Sequence, residues 1–190
     1  MDDTNKAVSG HKLPFPESYW VRPGVLMAGE HPLSHDPVES FARVSSLVDC
    51  GIRHIIDLTE PYEDSRFGHQ SPSYDRIIGN ICMEKNILLT RLRFPIIDFG
   101  APDASLMTEI LNDMDSNISK SLPVYVHCRA GIGRTGTVVG CYLVRNDHLV
   151  GIEVLDAIDS MRKQLPSYYI DSPQSREQIE LVLSWPEVPR

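Results

Sequence analysis

The first narrowing of this sequence comes from what it does not contain. No run approaches the about 18 consecutive apolar residues that a membrane-crossing helix requires, so no membrane span is expected. Basic charge is in short supply: 18 Lys+Arg stand against 26 Asp+Glu over 190 residues, giving a formal net charge of −8. So acidic a chain argues against general nucleic-acid or anionic-membrane binding, both of which need a basic surface, yet it leaves room for one local anion site. The four cysteines, Cys50, Cys82, Cys128 and Cys141, form no CxxC pair and no Cys/His spacing of the zinc-binding kind. The opening residues 1–6 are acidic and polar, without the basic stretch and apolar core of a secretory signal. These absences together set the expectation of a cytoplasmic protein with free thiols.

What is present reads as one α/β domain. Apolar residues make up 42% and charged residues 23%, a globular balance that supports a single continuous core. Residues 1–18, with Pro14 and Pro16, read as a flexible lead-in to a domain over 19–190. Two short strands are expected around Val21 and around 25–28, joined at Pro23-Gly24. Asp36-Pro37 opens a helix to about Val48 that stops at Gly51. A buried strand follows over 52–58, then a charged loop over 59–72, a helix over 73–85 and a strand over 88–96. Leu106, Ile110, Leu111, Met114 and Ile118 recur at helical spacing within 103–119. The apolar β-run 122–127 leads through a glycine-bearing turn to a helix over 134–145, and helices over 151–165 and 173–184 close the chain. Strands alternating with helices predict a central, mostly parallel sheet flanked by helices.

The segment that carries chemistry lies between the last strand and the helix after it: His127-Cys128-Arg129-Ala130-Gly131-Ile132-Gly133-Arg134-Thr135. Ligands of open α/β sheets bind at such a place. Two glycines among the five residues between Cys128 and Arg134 let the backbone curl, so that its N–H groups point inward around an anion. The following helix adds the positive end of its dipole, and Arg134 offers a planar fork for two phosphate oxygens. Cys128, at the base of the loop, is expected to be held as a thiolate by these positive charges. Cys50, Cys82 and Cys141 have no such setting and read as core residues.

With His-Cys, five residues, Arg and Thr, plus Gly131, Gly133 and Gly136, the segment resembles the signature of the protein tyrosine phosphatase superfamily, in its small dual-specificity-like form. The resemblance spans roughly residues 19–184. It implies the cysteine phosphatase fold and metal-independent, cofactor-free hydrolysis of phosphate monoesters through a cysteinyl-phosphate. Cys128 is then the nucleophile, residues Arg129, Ala130, Gly131, Ile132, Gly133 and Arg134 form the phosphate-binding loop, His127 orients the loop, and Thr135 donates a hydroxyl proton to the departing thiolate. Asp98-Phe99-Gly100-Ala101-Pro102 resembles the movable acid loop, although Ile96-Ile97 replace the usual Trp-Pro before it. Asp98 is the general acid it implies; Asp103, the runner-up, has the spacing of a helix N-cap. Near the end of the chain, Gln178, in preference to Gln174, matches the water-positioning glutamine, while Asp57 and Glu60 read as solvated loop charges.

A catalytically dead phosphate-binding module is the first rival, but dead relatives usually lack the Cys, the Arg or the Asp, and all three are here. Arsenate reductases and low-molecular-weight phosphatases carry their loop near the N-terminus, and sulfurtransferases need no upstream D-x-G-x-P. No segment resembles the KNRY element that deepens the phosphotyrosine-specific pocket, which implies a shallow site. Phosphotyrosine, phosphoserine and phosphothreonine proteins are the expected substrates. Phosphoinositides or inositol phosphates are the alternative, to which the extra charge of Arg129 points.

Overall fold

The computed structural model describes residues 12–63 and 73–186. Strands β1 (Ser18–Arg22) and β2 (Leu26–Gly29) form an antiparallel pair, and helix α1 (Pro37–Asp49) leads to β3 (His54–Asp57). Helix α2 (Tyr74–Lys85), strand β4 (Thr90–Arg93) and helix α3 (Ala104–Ser119) precede β5 (Val124–His127). Helices α4 (Gly133–Asp147), α5 (Ile152–Arg162) and α6 (Arg176–Ser184) follow. The sheet order is β1-β2-β5-β3-β4, with β5 central and every pair parallel except β1–β2.

Period-two alternation sends side chains to opposite faces of the sheet, and both faces are covered. Leu26, Ala28, Ile56, Val124 and Val126 pack with α3, α4, α5 and α6; Met27, Ile55 and Tyr125 pack with α1 and α2. Helix starts are set by side-chain caps: Asp36 accepts from the Val38 N–H, Ser73 from Arg76 and Asp103 from Leu106. Helix α4 differs. No side chain caps its first turn, so its leading amides face the loop after β5. Twelve of its residues are buried, from Gly133 to Val144, because α3, α5 and α6 surround it.

Three expectations need revision. Residues 12–18 are no loose tail: Phe15 is buried edge-on to Tyr125, the Arg43 guanidinium lies over its ring, and Ser18 Oγ donates to the Phe15 carbonyl. Residues 1–11 lie outside the described residues, as do 64–72 of the charged loop. The strand expected over 88–96 is confined to Thr90–Arg93, since Pro95 offers no N–H to continue the ladder. Helix α6 starts at Arg176, after the capping residue Ser175, and not at Pro173.

Candidate active site

Strand β5 delivers His127 and Cys128 to the carboxyl edge of the sheet, beside the ends of β2 and β3. Both residues are buried. The Cys128 N–H donates to Thr135 Oγ1 at 2.8 Å, which ties the start of the loop to the first turn of α4 and leaves the hydroxyl proton of Thr135 for another acceptor. The Arg129 carbonyl accepts from the His31 N–H at 2.9 Å and the Ile132 carbonyl from Ser172 Oγ at 2.8 Å, so both flanks are braced from outside. Gly131 has φ +71°, and a methyl group there would fall 2.3 Å from the Gly29 carbonyl carbon. Only glycine lets the loop lie this close to β2.

Arg134 is almost wholly buried, and its guanidinium is fixed on several sides. Nη1 donates to Glu63 Oε1 at 2.6 Å and to the Ile96 carbonyl at 3.0 Å; Nη2 donates to Glu63 Oε2 at 3.0 Å and lies 3.0 Å from Asp98 Oδ1. Burial opposes its charge, but the Glu63 hydrogen bonds, with Cys128 and Asp98 close by, outweigh that and push its pKa above the ordinary arginine value. Asp98 thus sits on the signature arginine. Its loop turns on the Gly100 N–H to Ile97 carbonyl bond and the positive φ of Phe99, leaving the Ile97 and Phe99 side chains exposed. Asp103 caps α3 through Leu106, the role its spacing predicted.

His127 is enclosed by His31, Tyr74 and Tyr125. Its Nδ1 is 3.0 Å from the Cys128 carbonyl, which makes that nitrogen the donor, and Nε2 is 3.4 Å from the Tyr74 hydroxyl. Burial, helped by Arg91 and Arg93, lowers the His127 pKa against the opposing pull of Asp57; burial and His127 together lower that of His31 far more. His31, Asp57 and His127 bring ligand atoms within 4.8 Å of one another. A cation does not fit there: Asp57 already accepts from Thr59, Arg91 and Arg93, and two guanidiniums would repel it.

Gln178 is fully buried. Its Oε1 accepts from the Gln174 and Ser175 amides, and its Nε2 donates to the Gly100 carbonyl at 2.9 Å. It thereby fastens the acid loop to α6, and Nε2 carries a second N–H for the water-positioning role that the resemblance implies. Both glutamines flank the loop at Gly133: a methyl there would lie 2.9 Å from Gln178 Oε1, 3.0 Å from Gln174 Oε1 and 3.1 Å from Gln178 Nε2. Asp57 is also corrected: it is a buried strand residue, not a loop charge. Glu63 was missed altogether, and its one signal is an acid close behind Asp57 in an otherwise unpatterned loop.

A family model described as "Polymorphic toxin system, DSP-PTPase phosphatase" matches residues 34–148, more than half of the chain. The chain belongs to the dual-specificity and tyrosine phosphatase superfamily. The chain is 28% identical over 123 residues to phosphatidylglycerophosphate phosphatase PTPMT1 of Arabidopsis thaliana, covering 64% of this chain and 33% of that one. It is 30% identical over 129 residues to protein tyrosine phosphatase domain-containing protein 1 of Bos taurus, covering 67% of this chain and 16% of that one. The chain therefore spans a third or less of these curated relatives. Among solved structures, kinase associated phosphatase superposes with a TM-score of 0.65 at 22% identity, covering 83% of each chain. PTPMT1 in complex with PI(5)P gives 0.62 at 20% identity, covering 85% of this chain and 90% of that one.

Proposed function

We propose that this phosphatase hydrolyses phosphate monoesters in two steps through a cysteinyl-phosphate on Cys128. The observation that carries the reading is the meeting of Cys128, Arg134 and Asp98 at the uncapped end of α4. The dianionic ester sits in the loop 129–134, held by backbone N–H groups and by Arg134, whose fork gains strength as charge spreads over the equatorial oxygens. The Cys128 thiolate attacks phosphorus, the bond to the leaving oxygen breaks, and Asp98 supplies the proton that oxygen takes. Water then attacks, its proton passes to Asp98, the sulfur–phosphorus bond breaks and inorganic phosphate departs. Thr135 steadies the released thiolate, His127 holds the Cys128 carbonyl, and Gln178 orients the water.

The proposed substrates are phosphotyrosine, phosphoserine and phosphothreonine proteins, bound past the exposed Ile97 and Phe99 of the acid loop. A phosphoinositide or other phospholipid is the second reading, favoured by Arg129 in the loop, by the likeness to the plant phosphatidylglycerophosphate phosphatase and by the likeness to PTPMT1 in complex with PI(5)P. Among the described residues no helix is long and apolar enough to cross a membrane, and all four cysteines are unpaired, which suits the reducing cytoplasmic setting proposed here.

The test is phosphate release from phosphopeptides, phosphoinositides and inositol phosphates, with Cys128→Ser as the blank. Cys128→Ser is expected to bind without turnover, the wild type to yield a trappable phosphocysteine, and chelator to leave the rate unchanged. Full activity in Cys128→Ser, or loss in chelator restored by a metal, would overturn the mechanism. Lipid turnover without peptide turnover would select the second reading.

A further inference from the structure

Beneath the signature loop lies a carboxylate with an unusual load. Asp57 ends β3 with its side chain wholly buried. Its Oδ1 accepts from the Thr59 N–H at 2.9 Å and the Thr59 hydroxyl at 2.6 Å. Its Oδ2 accepts from Arg91 Nε and Nη2 at 3.0 and 2.6 Å, and from Arg93 Nε and Nη2, both at 3.1 Å. Arg91 is itself held by Asp75 at 2.8 Å and lies 4.6 Å over the Tyr74 ring. Two strands and α2 thus converge to fix one oxygen pair.

The load continues outward along the chain. Immediately after Thr59, the Glu60 N–H donates to Glu63 Oε1 at 2.9 Å, and the Glu63 N–H returns to the Glu60 carbonyl at 3.0 Å. This short turn pins Glu63 by backbone and side chain together, and both Glu63 oxygens then grip Arg134. The path is an unbroken series of hydrogen bonds and one turn, from Arg91 and Arg93 through Asp57, Thr59 and Glu63 to the guanidinium. An arginine side chain left to itself samples many rotamers, and ordering it at each encounter carries an entropic cost. A prefixed fork avoids that cost in the transition state.

We propose that Asp57 is a positioning residue for Arg134, acting at a distance through Thr59 and Glu63 without itself touching substrate. Charge matters as well as shape. Asparagine would keep the volume and an oxygen for Thr59, but would leave two buried guanidiniums sharing a neutral amide, so the corner that carries the Glu60–Glu63 turn would loosen. A purely architectural Asp57 would instead weaken the protein without any preference for Arg134-dependent steps.

The experiment is a double-mutant cycle on turnover of p-nitrophenyl phosphate, with Asp57→Asn and the milder Thr59→Val each made alone and combined with Glu63→Gln. Inorganic phosphate is included as competitor, and all variants are checked for folding by circular dichroism. If Asp57 works through Glu63, Asp57→Asn lowers kcat about tenfold in the wild type but less than about twofold in the Glu63→Gln background, and weakens phosphate inhibition in step. Thr59→Val shows the same pattern with a smaller loss, and decides the matter if Asp57→Asn does not fold. Equal fold losses in both backgrounds, or undiminished kcat in folded Asp57→Asn and Thr59→Val, would overturn the proposal. The inference rests on Arg134 as the phosphate-gripping residue. Arg134→Lys in the same series separates the two: normal kinetics there defeats the catalytic reading, whereas additive losses beside a crippled Arg134→Lys defeat only the role of Asp57.

Discussion

Replacing Gly131 with alanine tests how tightly the phosphate-binding loop is seated. The new methyl would lie 2.3 Å from the Gly29 carbonyl carbon, 2.5 Å from the Glu30 nitrogen and 2.6 Å from the Gly29 oxygen. All three are backbone atoms and cannot rotate away, while carbon pairs rest at about 3.5–4.0 Å, so a shift of about 1 Å is forced. The strand side resists: Tyr125 Oη donates to the Glu30 carbonyl at 2.5 Å, and the Glu30 N–H donates to the Glu17 carbonyl at 3.0 Å. The loop must therefore move, taking its inward amides off the phosphate. A left-handed φ costs an alanine about 1–2 kcal/mol and overpacking about 1–3, so a stability loss of about 2–5 kcal/mol is expected. Urea unfolding reads that loss, and kcat/KM on p-nitrophenyl phosphate should fall more than about tenfold. Gly51→Ala is the control, because Gly51 has φ +96° with nothing within 4 Å of the added methyl. It should show the conformational cost alone and keep full activity. Matching stability losses in the two variants, with normal turnover in Gly131→Ala, would refute the close-approach argument.

Asp98→Asn should slow phenyl phosphate far more than activated phenol esters and flatten the basic limb of the pH–rate profile; Asp103→Asn, at a helix cap, should do neither. Arg134→Lys keeps the charge but loses the fork that Glu63 holds, so turnover should drop about a hundredfold or more, read by steady-state kinetics. Burial lowers the pKa of both His31 and His127, so below about pH 6.5 the unfolded chain binds protons that the folded protein refuses. Stability should therefore fall with pH by up to about 1.4 kcal/mol per unit for each histidine, and urea midpoints at about pH 7 and 5 should differ less in His31→Gln. Burial opposes the charge of Asp57, but His127, Arg91, His31 and Thr59 together depress its folded pKa, so it withdraws its contribution only as pH falls below about 3.9, outside that window. An unchanged midpoint difference in His31→Gln would remove His31 from the account.

The parts of this molecule that could be read in advance are those whose partners are near in sequence. The signature is legible because a strand, a glycine-bearing turn and a helix start within a dozen residues, and Asp103 because a cap bonds three residues on. Glu63 is illegible because Arg134 is far along the chain, and only the parallel pairing of β3 with β5 brings the two loops together. Asp57 was misjudged for a related reason. A charge at the end of an apolar run looks like the exit to solvent, unless the alternation in Thr90-Arg91-Leu92-Arg93 is seen to aim two arginines at it from the next strand. Phe15 was hidden by the prolines around it, which forbid a helix but not burial. Gln178 carries two readings in one dimension, a capping box and a water-binding amide, and the fold shows the first, with Nε2 also on the Gly100 carbonyl.

The ion pair between Asp98 and Arg134 has a consequence for affinity. A phosphate dianion arriving at the guanidinium meets a site that already has a tenant, a carboxylate tethered at high effective concentration by its own loop. Measured binding is then a difference between two anions, and the enzyme in its resting condition competes with its own substrate. Removing the tenant should let unreactive oxyanions bind more tightly even as catalysis fails, so the strongest phosphate binder and the fastest enzyme would be different proteins. Glu63 cannot take the same part, because it holds the arginine from a fixed turn and does not leave when the ligand comes.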